Sequence, residues 1–110
     1  MRIIRLRPYL RAMKAMGFGD KVMWEVEAMI LSAPEAYPII RGLKGARKAR
    51  FARPGTGKSG GGRAIYFVAL SNEILAMLTA YPKSAKEDLT PDDRRAVLRA
   101  IEGLLSGNDK

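Results

Sequence analysis

The chain has 110 residues, the length of one compact domain, and we expect a single domain over 1–110 with a frayed tail at 106–110. It contains no cysteine and no histidine, which excludes disulfides, thiolate metal sites and histidine acid–base chemistry. Lysine and arginine number 20 against 11 acidic residues, a net charge of +9. This excess favours a polyanionic partner, and nucleic acid is the leading candidate.

Nothing in the sequence predicts a membrane segment. Apolar runs such as Ile74 to Leu78 are far too short to span a bilayer. The first residues are interrupted by Arg2, Arg5 and Arg7, so they lack the continuous apolar stretch of a signal peptide. We therefore expect a cytoplasmic protein without a membrane partner.

The N-terminal third predicts one strand and two helices. Residues 3–6 form a short apolar segment between arginines, which is typical of a strand. Pro8 suits the first turn of a helix that Gly17 ends. Asp20 is expected to cap a second helix, whose apolar residues recur at helical spacing until Pro34.

The middle of the chain is strongly basic, with eight cations and no acid between residues 35 and 73. The cations are Arg41, Lys44, Arg47, Lys48, Arg50, Arg53, Lys58 and Arg63. Residues 47–53 predict a strand, and 54–62 a flexible glycine-rich loop. Two further strands, 64–70 and 74–81, are apolar on both faces, so we place them at the centre of the sheet.

The last helix is marked by a capping box. Thr90 is the predicted cap, Pro91 the first helical residue, and Asp93 the reciprocal acid. We interpret the acids here as helix-start or flanking residues rather than a metal site or catalytic pair. These acids are Glu87, Asp88, Asp92 and Asp93. The element order β-α-α-β-β-β-α predicts an α+β domain with helices packed against an antiparallel sheet.

The candidate site is a set of cations that the predicted strands bring together. Side chains alternate along a strand, so Lys48 and Arg50 share one face, and Arg63 begins the strand predicted to pair with theirs. Lys58 lies in the connecting loop, and Lys83 and Lys86 follow the third strand. We expect these six cations to converge on one phosphate. The RNA-binding surface is expected to extend over Arg41, Lys44, Arg47 and Arg53.

This residue set suits cleavage of RNA by its own 2′-hydroxyl. Fixed cations stabilise the charge of a pentacoordinate phosphorane more than that of the ground state. A lysine whose pKa is lowered by neighbouring cations is the expected base, arginine would hold the phosphate, and Tyr66 or Tyr81 could donate a proton or stack on a base. The residues alone favour binding without catalysis over catalysis, and they predict no metal and no cofactor.

Two segments resemble a known family. Residues 45–66, GARKARFARPGTGKSGGGRAIY, and residues 78–90, LTAYPKSAKEDLT, resemble the central and late signatures of RelE/HigB-type toxins of the RelE/ParE superfamily, which belong to type II toxin–antitoxin systems. The similarity covers residues 40–105 well and the N-terminal helices loosely.

The resemblance implies a small microbial-ribonuclease-like α+β fold. It also implies cleavage of mRNA, often on the ribosome, leaving a cyclic phosphate and inhibiting translation. A cognate antitoxin is the implied partner, and a helix-turn-helix antitoxin is one form it could take. The family's catalytic cations correspond here to Lys48, Arg50, Lys58, Arg63, Lys83 and Lys86. The chain departs from the family pattern at Ser84, Ala85 and Thr90, where relatives carry an arginine or asparagine, a glutamate, and a tyrosine.

Two alternatives to a ribonuclease stay open. ParE-type members of the superfamily inhibit DNA gyrase and cleave no RNA. The cations at 48, 50, 58 and 63 favour the nuclease, because gyrase inhibition needs no converging cations. The third interpretation is a basic nucleic-acid-binding module without catalysis.

Overall fold

The computed structural model describes residues 1–52, 61–69, 73–86 and 88–106. Its elements are β1 (Arg2–Arg5), α1 (Arg7–Ala15), α2 (Asp20–Ser32), β2 (Arg47–Phe51), β3 (Gly62–Ala69), β4 (Ile74–Pro82) and α3 (Pro91–Ser106). The expected order β-α-α-β-β-β-α and the α+β class are confirmed. Most of the predicted glycine loop and of the predicted tail lies outside the described residues. No helix in the described ranges has both the length and the apolar character needed to cross a membrane.

The strands of the described chain form one sheet in the order β1-β4-β3-β2. The two strands that are apolar on both faces, β3 and β4, lie at its centre as expected. The sheet is mixed rather than antiparallel throughout, because β1 runs parallel to β4, from Arg2 opposite Ile74 to Arg5 opposite Met77. A short apolar segment predicts a strand but carries no information on its direction. The direction follows from the crossover through α1 and α2.

Helices cover both faces of the sheet. On one face, Tyr9 and Met13 of α1 and Ile30 of α2 pack with Tyr66 and Met77 of the central strands. On the other face, the apolar stripe of α3 packs on the alternate residues of β3 and β4. The stripe is formed by Val97, Ile101 and Leu104. Each central strand is therefore buried on both sides, as its sequence predicts.

A buried carboxylate joins β1 to α1 and α2. Glu27 is fully buried and accepts two hydrogen bonds from the Arg5 guanidinium, from Nε and Nη2, both 2.8 Å long. The Tyr9 hydroxyl donates a third bond to the same carboxylate at 3.1 Å. Burial and the adjacent Glu27 carboxylate raise the pKa of Tyr9 well above its usual range. Nothing in the helical spacing of α2 distinguishes this buried acid from an exposed one.

The two predicted helix caps have different outcomes. The capping box is confirmed, since the Asp93 N–H donates to Thr90 Oγ1 at 3.1 Å and the Thr90 N–H donates to Asp93 Oδ2 at 3.0 Å. The Asp20 cap is wrong: Gly19 occupies the N-cap, and Asp20 is the first helical residue. Its carboxylate pairs with Arg5 at 3.1 Å, in the first turn where the helix dipole favours an acid.

Candidate functional site

The candidate site begins on β2, whose alternate residues face opposite sides of the sheet. Ala49 and Phe51 are buried in the core beneath α1 and α2. Lys48 and Arg50 project from the other face, where Lys48 is half-buried and Arg50 is exposed. The predicted sharing of one face by Lys48 and Arg50 is therefore what the structure shows.

Strand pairing aligns Arg63 and Tyr81 with Arg50 across the sheet. Arg50 is the direct antiparallel partner of Arg63 on β3, and Arg63 is in turn the partner of Tyr81 on β4. Cross-strand partners project from the same face of a sheet. Arg50, Arg63 and Tyr81 therefore form one row across three strands, on the face that α3 covers further along.

A glycine allows β2 and β3 to meet closely at this end of the sheet. A Cβ on Gly62 would lie 2.6 Å from the ring of Phe51, and one on Gly61 would lie 2.6 Å from the Phe51 carbonyl oxygen. No side chain fits at that separation, so the end of the glycine run is a packing requirement as well as part of a loop. This contact brings Arg63 up to Arg50.

The segment after β4 adds Lys83 and Lys86 to the candidate site. The backbone N–H of Lys83 donates to the Gly61 carbonyl at 3.0 Å, which ties this segment to the start of β3. The result is a groove of about 690 Å³, which we call the basic groove. Its described lining residues are Pro38, Lys48, Arg50, Arg63, Lys83, Lys86 and Asp88. An adjoining cavity of about 430 Å³ shares Arg50, Arg63 and Lys83 with it.

The cations of the basic groove differ in their partners. Lys48 pairs with Asp88 at 3.0 Å, and Lys86 pairs with Asp93 at 2.6 Å. The Arg63 guanidinium donates to the Gly62 carbonyl at 3.2 Å. Within the described ranges, no carboxylate lies at ion-pair distance from Arg50 or Lys83. Arginine and lysine side chains that lack an acidic partner are available to bind an anion.

Tyr81 lies buried beside the basic groove, in the core cluster under α3, rather than as an exposed acid. Only 3% of the residue is exposed, and Lys86 Nζ lies 5.2 Å from the centroid of its ring. Burial, followed by the nearby Asp88 carboxylate, raises the pKa of the Tyr81 phenol although Arg63 opposes the shift. The phenol is therefore neutral around pH 7.

Tyr66 does not belong to this site, contrary to expectation. It is fully buried on the opposite face of the sheet, and its hydroxyl donates to the Pro34 carbonyl at 2.5 Å. Burial raises its pKa to about 12. Tyr66 lies three residues after Arg63 on β3. Because side chains alternate along a strand, residues separated by an odd number of positions lie on opposite faces.

Three of the expected RNA-binding cations also lie outside the described lining of the basic groove. Arg47 faces the Tyr66 side and donates to the carbonyls of Tyr37 and Glu35, at 2.7 and 3.1 Å. Lys44 pairs with Glu102 of α3 at 3.4 Å. Arg41 contributes its backbone carbonyl, which accepts from Arg94. The other expected residues, Arg53 and Lys58, lie outside the described part of the chain.

Sequence reasoning missed the acids that accompany these cations. Asp88 and Asp93 were interpreted as helix-flanking and capping acids, whereas each also binds a lysine of the basic groove. The available signal was their position, since both follow Lys86 closely: Asp88 in the segment that joins β4 to α3, and Asp93 in the first turn of α3.

The comparisons with known proteins bear on the family and the fold of the chain. The model of the family described as RelE toxin of the RelE/RelB toxin–antitoxin system matches residues 1–110. Among solved structures, a doubly substituted Escherichia coli toxin RelE in the free state is similar, with a TM-score of 0.56 and 18% identity. That alignment covers 91% of this chain and 96% of the Escherichia coli chain. At this identity, the likeness shows a shared fold.

The chain belongs to the RelE toxin family. It is thus the toxin of a toxin–antitoxin system, and the family implies a cognate antitoxin as its partner. The resemblance to RelE toxins in the sequence is confirmed, and the charged lining residues of the basic groove lie on the two segments that carry it.

Proposed function

We propose that this toxin is an mRNA endoribonuclease and that the basic groove is its active site. The observation that carries the proposal is the charge of the groove: five cations and one carboxylate are its charged lining residues in the described chain. Such a surface binds the phosphate backbone of RNA, since each neutralised phosphate releases counterions. The five are Lys48, Arg50, Arg63, Lys83 and Lys86, which we call the groove cations.

The proposed reaction is an internal transfer. The 2′-oxygen of the substrate attacks the adjacent phosphorus, the bond from phosphorus to the 5′-oxygen breaks, and a 2′,3′-cyclic phosphate remains. One proton leaves the 2′-hydroxyl and one is delivered to the departing 5′-oxygen. Negative charge builds on the phosphoryl oxygens between these steps, where fixed cations stabilise it.

Arg50 and Arg63 are the groups suited to hold the phosphoryl oxygens. They are direct cross-strand partners, and a guanidinium presents a planar fork that matches two oxygens at once. The rigid strands beneath them hold this geometry better than a loop would.

Proton transfer then falls to the lysines of the basic groove. The chain has no histidine, arginine stays charged, and Tyr81 is buried. Lys83 is exposed at the turn after β4, beside Arg63 and the adjoining cavity, so a substrate can reach it. We assign one proton transfer to Lys83 and the other to Lys48 or Lys86.

The proposed setting is mRNA bound to the ribosome in the cytoplasm, so that cleavage inhibits translation. The antitoxin, which we propose to be of helix-turn-helix type, would keep the toxin inactive. Membership of the family and the charge of the groove support this setting.

The experiment is primer extension on mRNA from cells that briefly express the toxin, beside an Arg63→Ala variant. New 5′ ends within coding regions are expected with the native toxin, and removal of one such charged group commonly lowers the rate by about 10²–10³. Arg99→Ala is the matched control, since it removes the same charge from an exposed position of α3. It should leave the new ends unchanged.

Other outcomes point to the alternatives. Growth arrest without new 5′ ends, together with inhibited DNA supercoiling, would replace the nuclease by a gyrase inhibitor of the ParE type. Neither arrest nor new ends, with RNA binding retained, would leave a non-catalytic binding module. Unfolding of Arg63→Ala would make Arg63 structural and remove it from the site.

A further inference from the structure

The capping acid of α3 has a second partner in the basic groove. Asp93 Oδ2 accepts the N–H of Thr90 at 3.0 Å, which belongs to the helix cap. The same oxygen accepts a bond from Lys86 Nζ at 2.6 Å. A cap requires only a hydrogen-bond acceptor, so the cap alone does not account for a charged contact to a groove cation.

Lys86 contacts two fixed groups. Its ammonium lies 2.6 Å from Asp93 Oδ2 and 5.2 Å from the centroid of the Tyr81 ring. Tyr81 is fixed by burial in the sheet, and Asp93 is held by the helical backbone of α3, in whose first turn it lies. A lysine on a four-carbon stem otherwise samples many rotamers, so these two contacts decide where its charge lies.

We propose that Asp93 is a positioning residue that fixes the Lys86 ammonium against bound phosphate. The inference rests on the proposed function, because it assigns a role in binding and cleaving RNA in the same groove. Asp93 does not need to touch the substrate, since it acts through Lys86.

The charge state of Asp93 fits this role. Partial burial acts to raise its pKa, but the hydrogen bonds from Lys86 and Thr90 outweigh it and hold the pKa below its usual value. The carboxylate is thus ionised at neutral pH and gives Lys86 a charge-assisted bond. Such bonds are about twice as strong as neutral ones.

The decisive test is a double-mutant cycle of Asp93→Asn and Lys86→Ala. Asparagine keeps an oxygen for the Thr90 N–H but removes the charge that holds Lys86. We expect Asp93→Asn to slow single-turnover cleavage of ribosome-bound mRNA by about tenfold to a hundredfold, because misplacing a group by about 1 Å can cost up to about a hundredfold. In the Lys86→Ala background the same change should cost less than about twofold.

A second readout does not depend on cleavage. Affinity for a 2′-O-methyl RNA of the same sequence, which cannot be cut, is measured for the same four proteins. If the native protein binds but does not cut, the proposed function fails, and coupling between Asp93 and Lys86 in affinity would still support the inference. The inference would be overturned if Asp93→Asn lowered the cleavage rate and the RNA affinity by the same factors in the native and in the Lys86→Ala background. An unaffected Asp93→Asn would do the same.

A matched control separates the cap from the lysine. Thr90→Ala removes the hydroxyl that completes the capping box and leaves the pair of Lys86 with Asp93 in place. It should lower the melting temperature by about 4–8 °C, the usual effect of losing a cap in a small domain, while its cleavage rate below that temperature stays native. A tenfold slower Thr90→Ala would assign the effect to the helix start and contradict the inference. If Asp93→Asn does not fold, the Asp93→Ser variant, which also supplies a neutral capping oxygen, takes its place.

Discussion

Arg50 and Arg63 lie directly opposite each other across the antiparallel pair of β2 and β3, with no carboxylate at ion-pair distance from Arg50 in the described chain. Like charges in this position destabilise a sheet. The basic groove therefore retains a repulsive pair that packing alone would not favour, as expected where function needs both charges.

The first prediction concerns this pair. Arg50→Gln should raise the free energy of unfolding by about 0.2–1 kcal/mol, the size of a cross-strand pair energy, because it removes the repulsion. Denaturant unfolding measures it, with Arg99→Gln as the matched control of equal charge loss on α3. A destabilised Arg50→Gln would show that Arg50 has a structural role and contradict the prediction.

The second prediction concerns salt. Because the proposed contacts are charged, RNA affinity should fall with salt at a log–log slope of about −0.7 for each phosphate contacted. Fluorescence anisotropy with a 2′-O-methyl RNA gives the slope, and Arg50→Gln should make it shallower by about 0.7. A flat response of the native protein would remove the electrostatic basis of the proposed function.

The third prediction concerns Asp88, the carboxylate that pairs with Lys48. The Asp88 carboxylate competes with an RNA phosphate for Lys48. Asp88→Asn should therefore tighten RNA binding by about threefold to tenfold at low salt, with little effect on stability. Glu102→Gln is the matched control, since Glu102 forms a comparable exposed pair with Lys44. Weaker binding by Asp88→Asn would indicate that Asp88 orders Lys48 for the substrate.

The fourth prediction concerns Gly62. A methyl group there would lie 2.6 Å from the buried ring of Phe51, so Gly62→Ala should destabilise the fold by about 1–3 kcal/mol, as overpacking does. Gly103→Ala is the control, because nothing lies within 4 Å of its Cβ position. In a helix, that change should stabilise by about 0.5–1 kcal/mol. Equal effects of the two substitutions would contradict the close approach of β2 and β3.

The fifth prediction concerns alkaline pH. Burial raises the pKa of Tyr66 to about 12 from an unfolded value of 10.0. A raised pKa favours the protonated form in the folded state, so this contribution is complete below pH 10 and is lost as the pH rises from 10 to 12. Tyr66→Phe should be less stable at neutral pH, because the bond to the Pro34 carbonyl is lost, but should lose less stability over that window. Urea unfolding across the window checks both slopes, and parallel slopes would contradict the assignment.

The elements and the pairing of two groove cations on one face are predictable from local sequence patterns. Apolar patterns on both faces placed β3 and β4 at the sheet centre, and alternation along β2 placed Lys48 and Arg50 together. The capping box marked the start of α3. These features depend on residues close in sequence, whose geometry follows from helix and strand periods.

Contacts between residues that are distant in sequence follow from the packing of the whole fold. It set the direction of β1, buried Glu27 against Arg5, and placed Tyr66 and Arg47 away from the basic groove. It also formed the ion pairs of Lys86 with Asp93 and of Lys48 with Asp88. Such pairings depend on sheet register and on helix packing across both faces. Local sequence patterns do not predict these pairings, because the pattern around a polar residue is the same whether the folded protein exposes that residue or pairs it.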